Sequence, residues 1–295
     1  MQNPELQIRR AAVVGGTHGN ELIGAYLVKK FAAAPQLVQR SSFETTVLLA
    51  NPLAFAAGQR YVERDLNRCF SLDNLQDAEA VSYEDSQAKA IYQQLGSGAQ
   101  KADFIVDLHS TTSNMGLTII LTNRHPFNLH LAAYLSAIHP AVQIYSWMDS
   151  QKAFLRSMSE LGCAVEVGPI AQGVLDAALF EQTQALVYSI LDYLEAQNCR
   201  QTLPVPDSLT LYECTAILDY PKTEQGELAA MIHPALQSRD YQPLQAGDPL
   251  FLTFDGITIP YAGETLYPVF INEAAYYEKG IALCLTRRQQ VSLLG

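Results

Sequence analysis

The chain has 295 residues, 48% of them apolar and 17% charged, which is enough apolar side chain for a large core and excludes wholesale disorder. At roughly 150 residues per domain, that length predicts one large domain or two smaller ones. Lys and Arg number 19 against 30 Asp and Glu, so the net charge is −11, which repels phosphate backbones and excludes nucleic acid as an expected partner.

Taken in chain order, Ala11–Gly16 (AAVVGG) reads as a buried strand running into a loop. Asn20–Phe31 has helical periodicity, with Leu22, Ile23, Tyr26, Leu27 and Phe31 on one face. Thr45–Ala50 is a second strand stopped by Asn51-Pro52, and Tyr83–Leu95 is helical. Asp103–Leu108 and Leu117–Leu121 are strands, Asn128–Ile138 a helix, Cys163–Val167 a strand and Val174–Glu195 a long helix. This alternation predicts an α/β domain with a parallel or mixed sheet. The two prolines of Gln201–Asp207 mark a linker. Beyond it, Leu209–Tyr212, Pro249–Thr253, Ile257–Pro260 and Ile281–Leu285 are β-type runs divided by turn signals, which predicts a smaller, mostly β C-terminal domain. The expected domains are 1–204 and 205–295. The five cysteines are scattered without a CxxC pair, which argues against a disulfide framework and a thiolate zinc site. No apolar run reaches the roughly 18 residues of a membrane helix, and Met1–Arg10 is polar, so the expected setting is cytoplasmic with no membrane partner.

Several residues could do chemistry. His18 and Glu21 stand three apart between a strand and a helix, so an imidazole and a carboxylate can converge. His109 follows the strand DFIVDL, and sites in α/β sheets gather outside the carboxyl ends of strands. Two His and one Glu with an open position is the ligand set of a catalytic zinc ion. Two unrelated histidines beside strand ends is the competing reading, and spacing does not separate them. Asp107 shares a strand face with His109, either to orient its ring or as an ordinary strand-end Asp. Glu166 interrupts the apolar strand CAVEV: either a buried carboxylate raised toward the pKa of a general base, or half of a structural pair with an Arg. Arg60, Arg64, Asn67 and Arg68 form a basic stretch in an acidic chain: either a solvated charge run or, since Asp65 and Asn67 look like turn or cap residues, fixed side chains whose guanidinium forks suit carboxylates. Arg156 is a further cation. By spacing, Tyr276–Lys279 is a helical turn with an exposed Lys.

Five stretches carry a resemblance: GGTHGNE (15–21), RDLNR (64–68), DLHSTTSNMG (107–116), EVGPIAQGVL (166–175) and NEAAYYEK (272–279). With them the chain resembles the aspartoacylase and succinylglutamate desuccinylase family of the zinc-carboxypeptidase fold, over about residues 11–280. The resemblance implies a carboxypeptidase-like mixed sheet flanked by helices and a C-terminal β domain that narrows access to the site. It implies hydrolysis of N-acetyl-L-aspartate to acetate and L-aspartate, with one zinc ion on His18, Glu21 and His109. Glu166 would activate the zinc-bound water, and Arg60 would polarise the scissile carbonyl. Asn67, Arg68, Arg156, Tyr276 and Lys279 would hold the substrate carboxylates. A homodimer is suggested by the resemblance alone. Ser110 stands where vertebrate members have Asn, and Lys152–Arg156 lacks a Tyr those enzymes carry there. The alternatives are a sibling deacylase acting on N-succinylglutamate or N-acyl aromatic amino acids, or a binding protein keeping the fold without activity.

Overall fold

In a computed structural model, the described residues are 7–147 and 153–294. Lys152 lies outside them. The N-terminal half runs β1 (Arg10–Gly15), α1 (Leu22–Ala33), β2 (Glu44–Leu49), α2 (Pro52–Ala57), α3 (Leu72–Gln76), α4 (Tyr83–Ile91) and β3 (Phe104–Ser110). It continues through β4 (Gly116–Leu121), α5 (Pro126–Ile138), β5 (Val142–Ser146), β6 (Leu161–Gly168) and α6 (Ala177–Asn198). The remainder is β-rich: β7 (Ser208–Asp219), β8 (Ala230–Ile232), β9 (Pro249–Thr253), β10 (Thr258–Pro260), β11 (Tyr267–Val269) and β12 (Ile281–Ser292).

Nine strands form one mixed sheet in the order β11-β12-β7-β5-β4-β6-β3-β1-β2. The pairs among β2, β1, β3 and β6 are parallel, β4 is antiparallel to β6, and β12 is antiparallel to both β7 and β11. The molecule is thus the mixed α/β type that the alternation predicts, with a β-rich C-terminal part. Strands β7, β12 and β11 extend the same sheet, while β10-β9-β8 form a small separate one. Strand β5 was not expected, because five residues (VQIYS) show too little alternation to stand out.

Strand alternation places the chemistry. In β3, Phe104, Val106 and Leu108 enter the core under α1, α5 and α6, and in β6 so do Cys163, Val165 and Val167. Their neighbours Asp107, His109 and Glu166 therefore point to the other face of the sheet. His109 and Glu166 are partners in register across β3 and β6. Helix α1 lies close on this sheet because it carries Gly24. A Cβ there would sit 2.6 Å from the Leu108 carbonyl oxygen, and one on Gly15 would sit 2.3 Å from that of Gly24. That approach brings the loop before α1 beside the end of β3.

Helix α1 starts at Leu22, later than the periodicity suggests, and Glu21 is its N-cap. His18 and Glu21 converge through a turn, closed by Glu21 N–H donating to the His18 carbonyl at 3.2 Å, and not along a helix face. Gly19 forces this, since it packs where a Cβ would lie 2.1 Å from the Ala54 carbonyl carbon. Helix α6 likewise begins at Ala177, where the Asp176 side chain accepts from Leu179 N–H and caps it.

Candidate active site

His18, Glu21 and His109 are buried, and one ligand atom from each lies within 4.8 Å of the others. His18 Nδ1 is 2.6 Å from Glu21 Oε1, and His109 Nδ1 is 2.9 Å from Glu21 Oε2. The opposite ring nitrogens are also held. His18 Nε2 lies 3.1 Å from Asp65 Oδ1, and His109 Nε2 lies 2.8 Å from Asp107 Oδ2. Asp107 is fixed in turn by Thr17, whose hydroxyl donates to it at 2.7 Å. Each imidazole is thus held at Nε2 by a buried carboxylate, which orients the ring so that Nδ1 turns toward Glu21.

Three potential ligand atoms converging in a buried space could hold a cation between them. The donor set, two imidazoles and a carboxylate, fits a divalent ion. Burial alone would raise the Glu21 pKa, but His18 and His109 outweigh it and hold the carboxyl well below the usual carboxylate range. Burial works against an imidazolium at His109, yet Asp107 and then Glu21 raise its pKa well above the ordinary value.

Glu166 is 8% exposed and faces the same cleft. Burial first, then the charge of Glu21, pushes its pKa well above the usual carboxylate range. Among the described residues no Arg is paired with Glu166: the Arg60 guanidinium donates to Glu21 Oε1 at 3.0 Å and Asp65 Oδ2 at 3.3 Å. Arg60 is thereby braced beside the two histidines. Of the basic stretch, Arg60, Asn67 and Arg68 line the cleft, whereas Arg64 turns away to Asp85 at 2.9 Å. Asp65 is the N-cap of a short 3-10 turn, accepting from Asn67 N–H at 2.9 Å, as its position in the motif suggests.

Arg156 is buried and lines the cleft, with its guanidinium 4.7 Å from the Phe154 ring. Arg68 lies 4.8 Å from the same ring, so Phe154 is flanked by two cations. Tyr276 lines the cleft half-buried, and burial raises its phenol pKa well above the ordinary value. Lys279 is largely exposed and is not among the lining residues; what burial it has, then the charge of Arg68, lowers its pKa. The 3-10 turn Ala274–Lys279 that carries both matches the helical turn read from spacing.

Two features of the site were not singled out in the sequence. One is an apolar wall of Ile120, Tyr145, Trp147, Phe154 and Phe270 along one side of the cleft. Ile120, the Tyr145–Phe154 segment and Phe270 come from three separate stretches of the chain, so no local pattern announces the wall they form together. The other is Glu273, buried at 4% exposure. Its Oε2 accepts from the Thr111 hydroxyl, from Thr112 N–H at 2.8 Å and hydroxyl at 3.0 Å, and from Ser113 N–H at 3.2 Å and hydroxyl at 3.3 Å. Its Oε1 accepts from Ala275 N–H at 3.0 Å. Glu273 therefore ties the loop after His109 to the turn bearing Tyr276. An acid just before a short helical turn, in a cap position, was the available signal. Glu273→Ala leaves several buried donors unsatisfied, each costing about 1–3 kcal/mol. We expect a clearly lower Tm in thermal melts, together with a fall in turnover of the folded fraction.

A family model described as the succinylglutamate desuccinylase/aspartoacylase catalytic domain matches residues 7–194, and one described as the AstE/AspA barrel-sandwich hybrid domain matches 207–288. A probable aspartoacylase of Acaryochloris marina is 54% identical over 289 residues, covering 97% of this chain and 98% of its own. The human N-acyl-aromatic-L-amino acid amidohydrolase (carboxylate-forming) is 42% identical, covering 97% of this chain and 92% of its own. The crystal structure of murine aminoacylase 3 superposes with a TM-score of 0.93 at 39% identity, over 98% of both chains.

Proposed function

The chain belongs to the succinylglutamate desuccinylase/aspartoacylase family of hydrolases, and from that premise we propose that it is a zinc-dependent amidohydrolase cleaving N-acyl-L-aspartate to a carboxylate and L-aspartate. The observation that carries the proposal is the convergence of His18, Glu21 and His109 beside a buried carboxyl, Glu166, and a braced guanidinium, Arg60. His18, Glu21 and His109 would hold the ion, whose chemistry when bound is Lewis acidity and a water pKa lowered to about 7.

Glu166 takes a proton from the water that attacks the acyl carbon. A C–O bond forms, the amide C–N bond breaks, and Glu166 returns the proton to the departing amine nitrogen. Arg60, fixed by Glu21 and Asp65, donates to the acyl oxygen as it gains negative charge. Arg68 and Arg156 receive the carboxylates, with Asn67 and Tyr276 beside them in the cleft, while Lys279, outside the lining, contributes its charge from the turn that carries Tyr276. Fixed cations in a chain of net charge −11 suit an acidic substrate. The β-rich C-terminal part supplies Phe270, Glu273, Ala275 and Tyr276 to the lining, which supports a division near residue 205 in which the second domain narrows the entrance. Among the described residues no helix is long and apolar enough to cross a membrane.

A second reading is favoured by a specific observation. The apolar wall would accept an aromatic ring, and the human relative's name specifies N-acyl aromatic amino acids. Carboxylate release from N-acetyl-L-aspartate, N-succinyl-L-glutamate and N-acetyl-L-tyrosine separates the two. The aspartate substrate should lead in kcat/KM by at least about tenfold, and Arg156→Ala should raise its KM by about 10–100-fold, the loss of one charge-assisted pair. A lead for N-acetyl-tyrosine, with the aspartate substrate indifferent to Arg156, would establish the second reading instead.

A further inference from the structure

The basic stretch from Arg60 to Arg68 has no regular structure over residues 61–65, yet it supplies Arg60, Asn67 and Arg68 to the cleft and Asp65 to His18. Something outside the cleft must hold it. Glu84, at the start of α4, is fully buried at 0% exposure. Its Oε1 accepts from Val62 N–H at 2.6 Å and from the Asn51 side-chain amide at 3.2 Å. Its Oε2 accepts from Glu63 N–H at 3.0 Å and Arg64 N–H at 3.2 Å. Three successive backbone amides of the loop thus close on one carboxyl group, as amides close on an anion in a backbone nest.

The neighbouring Asp85 works on the same loop. It accepts from the Arg64 guanidinium at 2.9 Å and from the Asn74 side chain at 3.0 Å, while capping α4 with Ser82. Helix α4 itself is anchored by Ala88 and Ile91 in the core shared with Leu66, Cys69 and Phe70. The chain of contact therefore runs from a packed helix, through Glu84, to the segment between Arg60 and Asp65. Glu84 is not among the residues that line the cleft, so its effect on chemistry passes through the segments it holds, chiefly this loop.

We propose that Glu84 is a positioning residue for the reaction, holding the loop that presents Arg60 to the acyl oxygen and Asn67 and Arg68 to the substrate carboxylate. This rests on the amidohydrolase reading given above. It makes the registry of the site depend on a residue that touches neither substrate nor the ligand set. An amide in place of the carboxyl is not equivalent. Glu84→Gln replaces one acceptor oxygen by an NH2 group, which then faces two donors and can accept from neither.

The test compares wild type, Glu84→Gln, Glu84→Asp and, as a control for stability alone, Leu186→Ala in the buried face of α6. Steady-state kinetics with N-acetyl-L-aspartate are read below every melting transition, beside zinc content. Glu84→Gln should raise KM at least about tenfold and lower kcat at least about tenfold when assayed at saturating zinc, because the three ligands themselves lie outside the loop although Asp65 within it orients His18. Glu84→Asp, which keeps two acceptor oxygens, should recover part of both. Leu186→Ala should lower the Tm and leave kcat and KM within about twofold. Kinetics of Glu84→Gln equal to wild type, or altered only as Leu186→Ala alters them, would overturn the inference. If Glu84→Gln does not fold, Glu84→Asp carries the same comparison. If wild type hydrolyses none of the substrates, the proposed function itself has failed. Hydrogen exchange at Val62, Glu63 and Arg64 then decides, and protection unchanged in Glu84→Asp overturns the positioning role.

Discussion

Glu166→Gln should lower kcat for N-acyl-L-aspartate by about 10²–10⁴-fold, the usual contribution of a positioned general base, while zinc content and melting behaviour stay near wild type. Glutamine keeps the shape of the side chain on β6 but can neither take the proton from water nor return it to the amine. The environment makes Glu166 suited to that exchange, because burial and then the charge of Glu21 raise its pKa well above the usual carboxylate range. The base form is required, so kcat/KM should rise with pH through that raised pKa and flatten above it. A cation on the neighbouring ligands lowers the value again, so the acid limb of the loaded enzyme lies below that of the metal-free chain. The effect on stability has the opposite sign to the common carboxylate case. A carboxyl whose folded pKa is raised binds its proton more tightly when folded, so its stabilisation is present below the ordinary carboxylate pKa and is lost as pH rises through the raised one. Turnover in Glu166→Gln within tenfold of wild type would remove the residue from the mechanism.

His109→Ala should lose both the ion and the activity. Lewis acidity contributes several kcal/mol to such a reaction, and each 1.36 kcal/mol is tenfold in rate, so turnover should fall by about a thousandfold or more. The variant also separates the ion from the scaffold. Zinc should raise the Tm of wild type, because an ion that binds only the folded chain stabilises it by mass action. It should leave the Tm of His109→Ala unchanged. Asp107→Asn tests the support behind the ligand: it leaves the three ligand side chains in place but alters the group that holds His109 Nε2, and should weaken zinc binding about 10–100-fold.

Much of this site was legible because it sits where the backbone changes state. His18 and Glu21 lie between a strand and a helix, and His109 ends a strand whose alternation sends Phe104, Val106 and Leu108 one way and Asp107 and His109 the other. Glu166 stood out as the one acid in an apolar strand. What strand periodicity cannot encode is contact between distant segments. Asp65 read only as a cap, yet it also orients His18, and nothing local to Arg64-Asp65-Leu66 specifies that. Glu273 joins segments 160 or more residues apart. Glu84, in the first turn of a helix that the sequence does announce at Tyr83, reaches back about twenty residues to three amides, a contact it does not announce. The same limit explains the sheet: the runs at Leu209 and Ile281 announce strands, but that β7 would pair with β5 and carry the sheet onward depends on a packing no short window contains.

The measurement that tests the account most directly is carboxylate release from N-acetyl-L-aspartate by chain stripped with a chelator and then titrated with zinc. Among the described residues one buried group, His18, Glu21 and His109, could hold an ion, which predicts no turnover in the stripped protein and a rise that stops at one zinc per chain. Full turnover by protein from which the metal has been removed would contradict it.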